Sequence, residues 1–421
     1  MSEQTIPEDL SPEHMRALYA ITGTMNSSLD FDEALNNVLD AIISVMKAQR
    51  GFLMIADPET DELRVLTVKG VDGQTLEEEG YSTTIVSQVV ATREPLLTNN
   101  AQFDTRFQAG QSIIMRGLRA ILCAPMMVKD RLMGVVYVDT SMRSGNFNDS
   151  DRNLMAAVAG QAGIALENAR LYTVAVEKGR MERELQMARE IQQGLLPHNL
   201  PKLEGYDVAS SWQAAREVAG DFYDAFKLAD DKMGVVIADV SDKGAPAALF
   251  MAVARTMIRS HAHAGLSPVE IIGRTNDLIL EDAESGMFVT VYHSHFYEGG
   301  DSAHVNAGHN PPVIYRAQTG TTEYMPRGGR AVGWFPDNPL SEVRLQLHHG
   351  DVIVYYTDGL TEAENPNKDQ YGEERLAQTL INNANQSAED IMTTILDDVD
   401  VFAEGEPPFD DLTIMVVRYT G

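Results

Sequence analysis

The second half of the chain is built from apolar runs of strand character that mostly follow one another without a helix between them. Five such runs are MGVVIAD, GMFVTVYHSHFY, AHVNAG, DVIVYYTD and DLTIMVVRY. Helices are predicted around APAALFMAVARTMIRSHAHAG, SPVEIIGRTNDLIL and SAEDIMTTILDDVDVF. Because strands and helices do not alternate, this order favours an antiparallel α+β fold over a doubly wound parallel sheet.

The first part of the chain has the same character on a smaller scale. One helix is predicted after Ser11 and Pro12, and a second begins at Asp30, with Glu33 placed as in a capping box. Two hairpins follow, GFLMIAD with ELRVLTVKG and RAILCAPMMV with RLMGVVYVDT, and then a long helix ending in ARLY. We therefore expect one α+β domain with an antiparallel sheet. Cys123 lies in an apolar strand and is expected to pack in its core.

A helical stretch without a strong breaker runs from Ala165 to Pro197 and separates these two parts. Its apolar positions alternate by three and four, which predicts a short coiled-coil seam. The seam positions are Leu171, Val174, Lys178, Met181, Leu185, Ala188, Gln192 and Leu195. The polar Lys178 and Gln192 would make such a coil weak, and a lone amphipathic helix is the alternative. The predicted divisions are an N-terminal segment 1–17, a first α+β domain 18–165, a helical linker 166–200 and a second domain 201–421.

The composition excludes several classes of partner. Against 33 Lys and Arg stand 62 Asp and Glu, a net charge of −29, so neither nucleic acid nor an anionic membrane surface is an expected partner. Cys123 is the single cysteine, which fits a reducing compartment. The polar N-terminus does not have the pattern of a signal peptide, and no apolar run is long enough to span a bilayer. We expect a soluble cytoplasmic protein.

Four aspartates share one local pattern, a position beside an apolar strand. Asp221 lies in VAGDFYD, Asp239 ends MGVVIAD, Asp358 ends DVIVYYTD, and Asp410 opens FDDLTIMVVRY. Each taken singly can be a turn residue, and Gly359 supports that interpretation. Together they would repel one another unless a cation lay between them. Oxygen ligands favour Mg2+ or Mn2+, and two such ions about 4 Å apart can activate water for displacement at phosphorus. The spacing alone leaves open whether the four meet.

The first domain resembles a GAF domain. The resemblance lies in LRAILCAPMMVKDRLMGVVYVD and in the closing AVAGQAGIALENARLY. It implies a GAF-like α/β sensor fold that responds to a small molecule or a protein. The motif of cyclic-nucleotide-binding GAF domains is absent from the sequence, so the ligand stays unknown.

The last domain resembles the SpoIIE/RsbU-type serine/threonine phosphatases, a bacterial branch of the metal-dependent PPM superfamily. VAGDFYDAF, IADVSDKGAPAALFMA, MFVTVY, NAGHNPP, YTDGLTEA and FDDLTIMVV occur in the order of that family, and MERELQMAREIQQGLLP resembles the helix that precedes its catalytic domain. The resemblance implies an αββα sandwich with two divalent cations, Mn2+ or Mg2+, between its sheets. The positions that match its catalytic and metal-binding groups are Asp221, Asp239, Asp358, Asp410 and the backbone carbonyl of Val240.

Some positions depart from the family pattern without removing a carboxylate. Ala214 stands where proline is usual, Ala219 replaces the first glycine of GGD, and Asp242 replaces the glycine of DVSGKG. Motif alignment favours Asp410 over Asp411 as the ligand. Period-2 geometry says only that these two residues point to opposite faces.

The histidines allow other interpretations of where a metal could bind. His293 and His295 are two apart on a predicted strand and face one side, as a metal pair or simply as a polar strand face. His261 and His263 are two apart on a predicted helix and do not face each other. His309 lies in a loop, where we expect a structural role.

The resemblance implies hydrolysis of phosphoserine or phosphothreonine on a phosphorylated STAS-domain anti-anti-sigma factor, with the GAF domain as regulator and a homodimer joined by the coiled coil. One alternative is a catalytically weak dimeric sensor that only docks partner-switching proteins. Another is an aspartate-nucleophile hydrolase around Asp358, but Leu360 occupies the place where that class needs a second aspartate.

Overall fold

The structure is a computed structural model that describes residues 31–57, 62–70, 80–99, 120–140, 147–229, 231–282 and 286–421, with a few isolated positions before residue 120. The chain divides into two compact units, Met1–Lys178 and Gly179–Gly421. The division falls inside the predicted linker 166–200, and the domain limits themselves stay predictions. The N-terminal segment 1–17 and the helix predicted after Ser11 lie almost entirely outside the described residues.

The first unit is an antiparallel sheet covered by helices. Its elements are α1 (Phe31–Met46), β1 (Arg50–Ala56), β2 (Leu63–Gly70), α2 (Thr83–Thr92), β3 (Leu96–Thr98), β4 (Ala120–Val128) and β5 (Arg131–Thr140). The strand order is β2-β1-β5-β4-β3, with both predicted hairpins in place.

Strand alternation divides the core of this unit into two layers. Leu53 and Val136 belong to the layer that includes α1, whereas Phe52 and Cys123 belong to the layer that includes α2. Cys123 is fully buried, as its apolar strand predicts.

A single helix, α3 (Asp149–Leu195), continues from the ARLY segment through the predicted linker. Its 47 residues correspond to a length of about 70 Å. It begins with a reciprocal cap, in which the N–H of Asp151 donates to Asn148 Oδ1 (3.0 Å) and the N–H of Asn148 donates to Asp151 Oδ2 (2.8 Å). The helix ends two residues before Pro197, as the sequence predicts. In the described part of the chain, α3 and the other helices do not reach the length and apolarity that crossing a bilayer requires.

The second unit contains two antiparallel sheets. Its strands are β6 (Tyr206–Gln213), β7 (Phe222–Leu228), β8 (Lys232–Val240), β9 (Val289–Phe296), β10 (Asp301–Ala307), β11 (Val313–Arg316), β12 (Thr321–Tyr324), β13 (Glu342–Gln346), β14 (Val352–Tyr356) and β15 (Leu412–Tyr419). Its helices are α4 (Ala245–His263), α5 (Pro268–Asp282), the short α6 (Asp358–Thr361), α7 (Gly372–Asn383) and α8 (Ala388–Ala403). The sheet orders are β13-β10-β9-β8-β7 and β12-β11-β14-β15-β6.

The two sheets pack face to face, with helices outside. Along β14, Tyr355 belongs to the core between the sheets, where its ring lies 5.6 Å from that of Tyr292 on β9. Its neighbours Val354 and Tyr356 instead belong to the core formed with α7 and α8. On the other side, α4 and α5 contact the sheet of β7 to β10. The predicted α+β class and αββα sandwich are thus confirmed.

Candidate metal centre

Antiparallel pairing brings the four predicted aspartates to two neighbouring strand ends. Phe222 of β7 pairs with Ala238 of β8, so Asp221 and Asp239 occupy the next positions at the same edge. In the other sheet, Tyr356 of β14 pairs with Ile414 of β15, and the chain segments carrying Asp358 and Asp410 adjoin beyond that pair. Each sheet therefore contributes two aspartates at the ends of paired strands, and this end of each sheet is called its edge below.

Asp221 connects the two edges. It is 2% exposed, and its Oδ2 accepts a hydrogen bond from Thr357 Oγ1 (2.6 Å) and another from Thr413 Oγ1 (2.9 Å), both from the opposite sheet. The indole N–H of Trp212 also donates to its backbone carbonyl (3.0 Å). Burial, and then the charge of Asp239, raise the pKa of the Asp221 carboxyl well above its ordinary value.

The remaining carboxyl groups act on one another. Burial and then the charge of Asp358 raise the pKa of Asp239 to about 7, although a hydrogen bond with Asp221 opposes the shift. Burial and then Asp410 raise the pKa of Asp358. The pKa of Glu362 is raised by burial and by the charges of Asp358 and Asp410. The hydrogen bonds of Thr357 and Thr413 to Asp221 bring the segments of Asp358 and Asp410 next to the paired strand ends of Asp221 and Asp239, so the four predicted aspartates lie near one another.

The donor set of this edge suits a hard divalent cation. Its groups are carboxylate oxygens that disfavour one another's charge, and a cation would relieve that repulsion. Within the described residues, no three His, Cys, Asp or Glu side chains are already arranged as a ready metal cage. Asp239 shares a hydrogen bond with Asp221, and Asp410 contacts Lys243. The residues fit a divalent cation by the chemistry of their oxygen donors, and these two carboxyl groups are turned toward other partners.

The backbone carbonyl of Val240 lies beside the segment that carries Asp221. A Cβ placed on Gly220 would lie 3.1 Å from this oxygen. Its role as a metal-facing group stays a prediction.

Asp410 and Asp411 have different partners. Asp411 accepts hydrogen bonds from the N–H groups of Ala215 and Gly220, each at 2.8 Å, and so holds the loop before Asp221. The Asp410 carboxylate instead contacts Lys243, with 2.7 Å between Oδ2 and Nζ. This division favours Asp410 as the ligand and gives Asp411 a positioning role.

A second positioning residue, Gln192, comes from the last turns of α3. Its Nε2 donates to the carbonyl of Ala219 (2.8 Å), and the N–H of Ala219 donates to its Oε1 (3.1 Å). Gln192 is only 4% exposed. The helical period placed Gln192 in the predicted coiled-coil seam, and in the structure both hydrogen-bonding ends of its side chain are engaged by the backbone beside Asp221.

Two features of the turns have a backbone explanation. Gly359 was read as the residue that lets the chain bend, and it lies in the short helix α6. A Cβ on Gly359 would stand 1.9 Å from the carbonyl oxygen of Asp411, so close approach of the two strand ends requires glycine there. Asp242 has a φ of 70°, a left-handed conformation that explains why glycine is usual at that position.

The histidines form hydrogen bonds within the fold. The Nε2 atoms of His293 and His295 lie 3.1 Å apart, and Nδ1 of His293 lies 2.9 Å from the carbonyl of Val235. His309 is tied through its Nδ1 to Thr290 Oγ1 (2.8 Å). Burial lowers the pKa of His295 and that of His309 to about 4, which keeps both neutral near pH 7. These contacts give the histidines a structural role.

Comparison with known proteins assigns both domains to families. Residues 28–167 match the family described as GAF domain, and residues 229–420 match the family described as Stage II sporulation protein E (SpoIIE). The second match includes Asp239, Asp358 and Asp410 and begins after Asp221.

Two curated relatives are similar in sequence to more than half of the chain. The chain is 32% identical over 302 residues to Protein IcfG of Synechocystis sp., covering 65% of this chain and 47% of that protein. It is 27% identical over 246 residues to phosphoserine phosphatase RsbU of Bacillus subtilis, covering 56% of this chain and 70% of that protein. The chain thus spans about half the length of IcfG.

Among solved structures, the SiaA-PP2C domain of Pseudomonas aeruginosa has the same fold. It matches with a TM-score of 0.51 and 22% identity, over 58% of this chain and 99% of that domain. The chain therefore carries a GAF domain at residues 28–167 followed by a SpoIIE domain at residues 229–420. The resemblance stated from the sequence is confirmed.

Proposed function

We propose that this chain is a metal-dependent protein serine/threonine phosphatase that hydrolyses phosphoserine or phosphothreonine on a partner protein. The observation that carries the proposal is the convergence of Asp221, Asp239, Asp358 and Asp410 at the adjoining edges of two sheets. Because the chain spans only 47% of IcfG, the activity is argued from this site and from the family of its domain.

The chain's own residues hold and orient the site. The four aspartates and the Val240 carbonyl would bind two divalent cations, Mn2+ or Mg2+. Bound there, these ions supply an activated water and stabilise negative charge at phosphorus.

Thr357 and Thr413 keep one oxygen of Asp221 hydrogen-bonded, so its other oxygen is left to face the cluster. The mechanism needs no cysteine nucleophile, and Cys123 lies fully buried in the other domain.

The substrate we propose is a phosphorylated STAS-domain protein that acts in partner switching. Support comes from the family of the catalytic domain and from similarity to RsbU, a phosphoserine phosphatase. Loss of metal carboxylates would support the docking-module alternative, and all four predicted positions keep theirs.

We propose regulation by the GAF domain through α3 in a homodimer. Leu171, Val174 and Met181 of the predicted seam are 51%, 51% and 63% exposed, so each presents an apolar surface that a second copy of the helix can cover. Replacing Val174 by Glu in the full chain should shift the mass measured by light scattering toward the monomer. Val176→Glu is the matched control, because Val176 is also exposed (49%) but lies off the seam.

A cavity of about 380 Å³ in the first unit is a place where a sensed molecule can bind. Apolar side chains dominate its lining, among them Ile55, Leu132, Met133 and Leu166. The chemistry of that ligand is left open by the lining.

The test of the phosphatase assignment is manganese-dependent hydrolysis of a phosphorylated STAS protein. Asp358→Asn keeps the size of the side chain and removes its charge, and it should reduce the rate by at least about a hundredfold. Asp277→Asn, an exposed position on α5, removes the same charge elsewhere and should leave the rate unchanged. Equal rates for Asp358→Asn and the unmodified chain would overturn the assignment.

A further inference from the structure

Lys243 places a cation on the open side of the carboxylate cluster. Its Nζ lies 2.7 Å from Asp410 Oδ2 and donates to the carbonyl of Phe409 at 3.1 Å. The same ammonium stands 4.4 Å from the centre of the Phe409 ring. The side chains of Lys243 and Asp410 are 32% and 30% exposed, whereas Asp221 at the floor of the cluster is 2% exposed. Lys243 therefore stands between the cluster and solvent.

The local backbone holds Lys243 in this position. It follows the end of β8 by three residues, and the segment between them is fixed to the neighbouring chain. The N–H of Ser241 donates to the carbonyl of Phe288 (2.9 Å), and the N–H of Phe288 donates to Ser241 Oγ (3.0 Å). Asp242 then turns the chain in its left-handed conformation, and Gly244 is the N-cap residue of α4. The lysine is thus carried by a braced turn next to Asp239 and Val240.

The charge of Lys243 extends beyond its direct partner. Its charge lowers the pKa of Asp358 and that of Glu362, whereas the surrounding carboxylates raise them. In the metal-free chain, the ammonium therefore partly compensates a cluster of like charges. A divalent cation at Asp410 would occupy the same carboxylate, so the two positive groups compete for it.

We propose that Lys243 binds the phosphoryl group of the substrate and competes with the metal for Asp410. The proposal rests on the proposed phosphatase function and assigns the recognition of the phosphate to this side chain. Once Asp410 is neutralised by another cation, the attraction that holds Lys243 to it is lost. The ammonium then stands free on the solvent side of the cluster, where a phosphate monoester must enter. A lysine ammonium is a compact, strong donor to phosphate oxygens.

A purely structural ion pair predicts a different pattern of effects. If Lys243 only fastened the turn before α4 to the start of β15, its removal would loosen the site. Metal binding and phosphate binding would then weaken together. Our proposal requires effects of opposite sign, since the lost ammonium is a competitor of the metal and a partner of the phosphate.

The experiment uses the full chain with Lys243→Met and Lys243→Arg. Mn2+ binding is measured by electron paramagnetic resonance, and binding of inorganic phosphate is measured by calorimetry at saturating Mn2+. Lys243→Met should bind Mn2+ about threefold to tenfold more tightly, because a charge next to the site is gone. It should bind phosphate at least about tenfold more weakly. Lys243→Arg, which keeps the charge, should stay near the unmodified chain in both.

The matched control is Lys232→Met. Lys232 is half-buried like Lys243, but it begins β8 while Asp239 and Val240 end it, about 20 Å away along an extended strand. This variant should change neither binding constant. Weaker Mn2+ binding by Lys243→Met, or unchanged phosphate binding, overturns the proposal. Neither readout needs turnover, so this failure is distinct from failure of the phosphatase assignment, which Asp358→Asn tests by rate.

Discussion

Replacing Gln192 by Leu tests whether the end of α3 holds the backbone next to Asp221. The side chain bridges the N–H and C=O of Ala219, which is itself fully buried. Leucine has a similar size and the same helix preference, so the helix itself should persist. What disappears is the pair of hydrogen bonds, and both backbone groups of Ala219 are left without a partner in a site that water does not reach.

The size of the effect follows from these contacts. A buried backbone group without a partner costs about 1–3 kcal/mol, and two such groups are created. Burial of the apolar leucine side chain returns about 1–2 kcal/mol. Taking about 2 kcal/mol for each group and about 1.5 kcal/mol returned, we expect the free energy of unfolding of the phosphatase domain to fall by about 2–3 kcal/mol. Mn2+ binding should weaken as well, because Asp221 is two residues from the released backbone.

Urea unfolding followed by tryptophan fluorescence measures this change in the intact chain. The two tryptophans, Trp212 and Trp334, both lie in the phosphatase domain, so the signal does not report on the GAF domain. Gln193→Leu is the control, since Gln193 is the exposed neighbour on the same turn and should change stability by less than about 0.5 kcal/mol. If Gln192→Leu unfolded at the same urea concentration as this control, the side chain would not fasten the segment, and the reasoning would fail.

Three further predictions concern single contacts. Thr413→Val removes one hydroxyl donor to Asp221 and should lower the free energy of unfolding by about 1–2 kcal/mol in urea titrations, with Thr413→Ser closer to the unmodified chain; a serine variant as unstable as the valine one would argue against the hydrogen bond. Asp242→Gly should be about 1 kcal/mol more stable than Asp242→Ala, because of the left-handed backbone, and equal melting temperatures would contradict this. The hydrogen bond from the Arg375 guanidinium, and to a smaller extent hydrogen bonds from hydroxyl groups, hold the pKa of Asp398 at about 2. This carboxylate therefore stabilises the fold above about pH 4, and its contribution is lost as the pH falls toward 2. Asp398→Asn should reduce that acid-induced loss by about 1 kcal/mol in urea titrations across this range, a value discounted for solvent screening, and an unaltered pH dependence would exclude the linkage.

Local patterns in the sequence predicted which residues supply the carboxylates of the site, but not that these residues meet in the fold. The apolar runs before Asp239 and Asp358 indicated that each carboxylate stands at the end of a buried strand. That these ends adjoin depends on how one sheet packs on the other. The hydroxyls of Thr357 and Thr413 cross that interface, and their role has no local signal beyond a position beside a candidate ligand.

The turn residues show the same limit in another form. Glycine at position 359 signals a bend when the sequence is read locally, yet the structure requires it for the approach of Asp411 from a strand more than fifty residues later in the chain. Asp242 was noted as a departure from the family glycine, and only the backbone angle shows what that glycine does there. Gln192 was read by helical period alone, which cannot show that a helix end meets another segment.

These contacts connect the linker helix to two carboxylates at once. Gln192 fixes Ala219, the N–H of the next residue, Gly220, donates to Asp411, and the residue after that is Asp221. A displacement of the last turn of α3 must therefore either break two buried hydrogen bonds or move the Asp221 segment with it. Since Asp221 is also bonded to hydroxyls of the opposite sheet, such a movement would act on the sheet interface as well as on the metal ligands. In the proposed regulation, this coupling is the route by which a movement of α3 would change binding at the proposed metal centre without a direct contact between the helix and the metal.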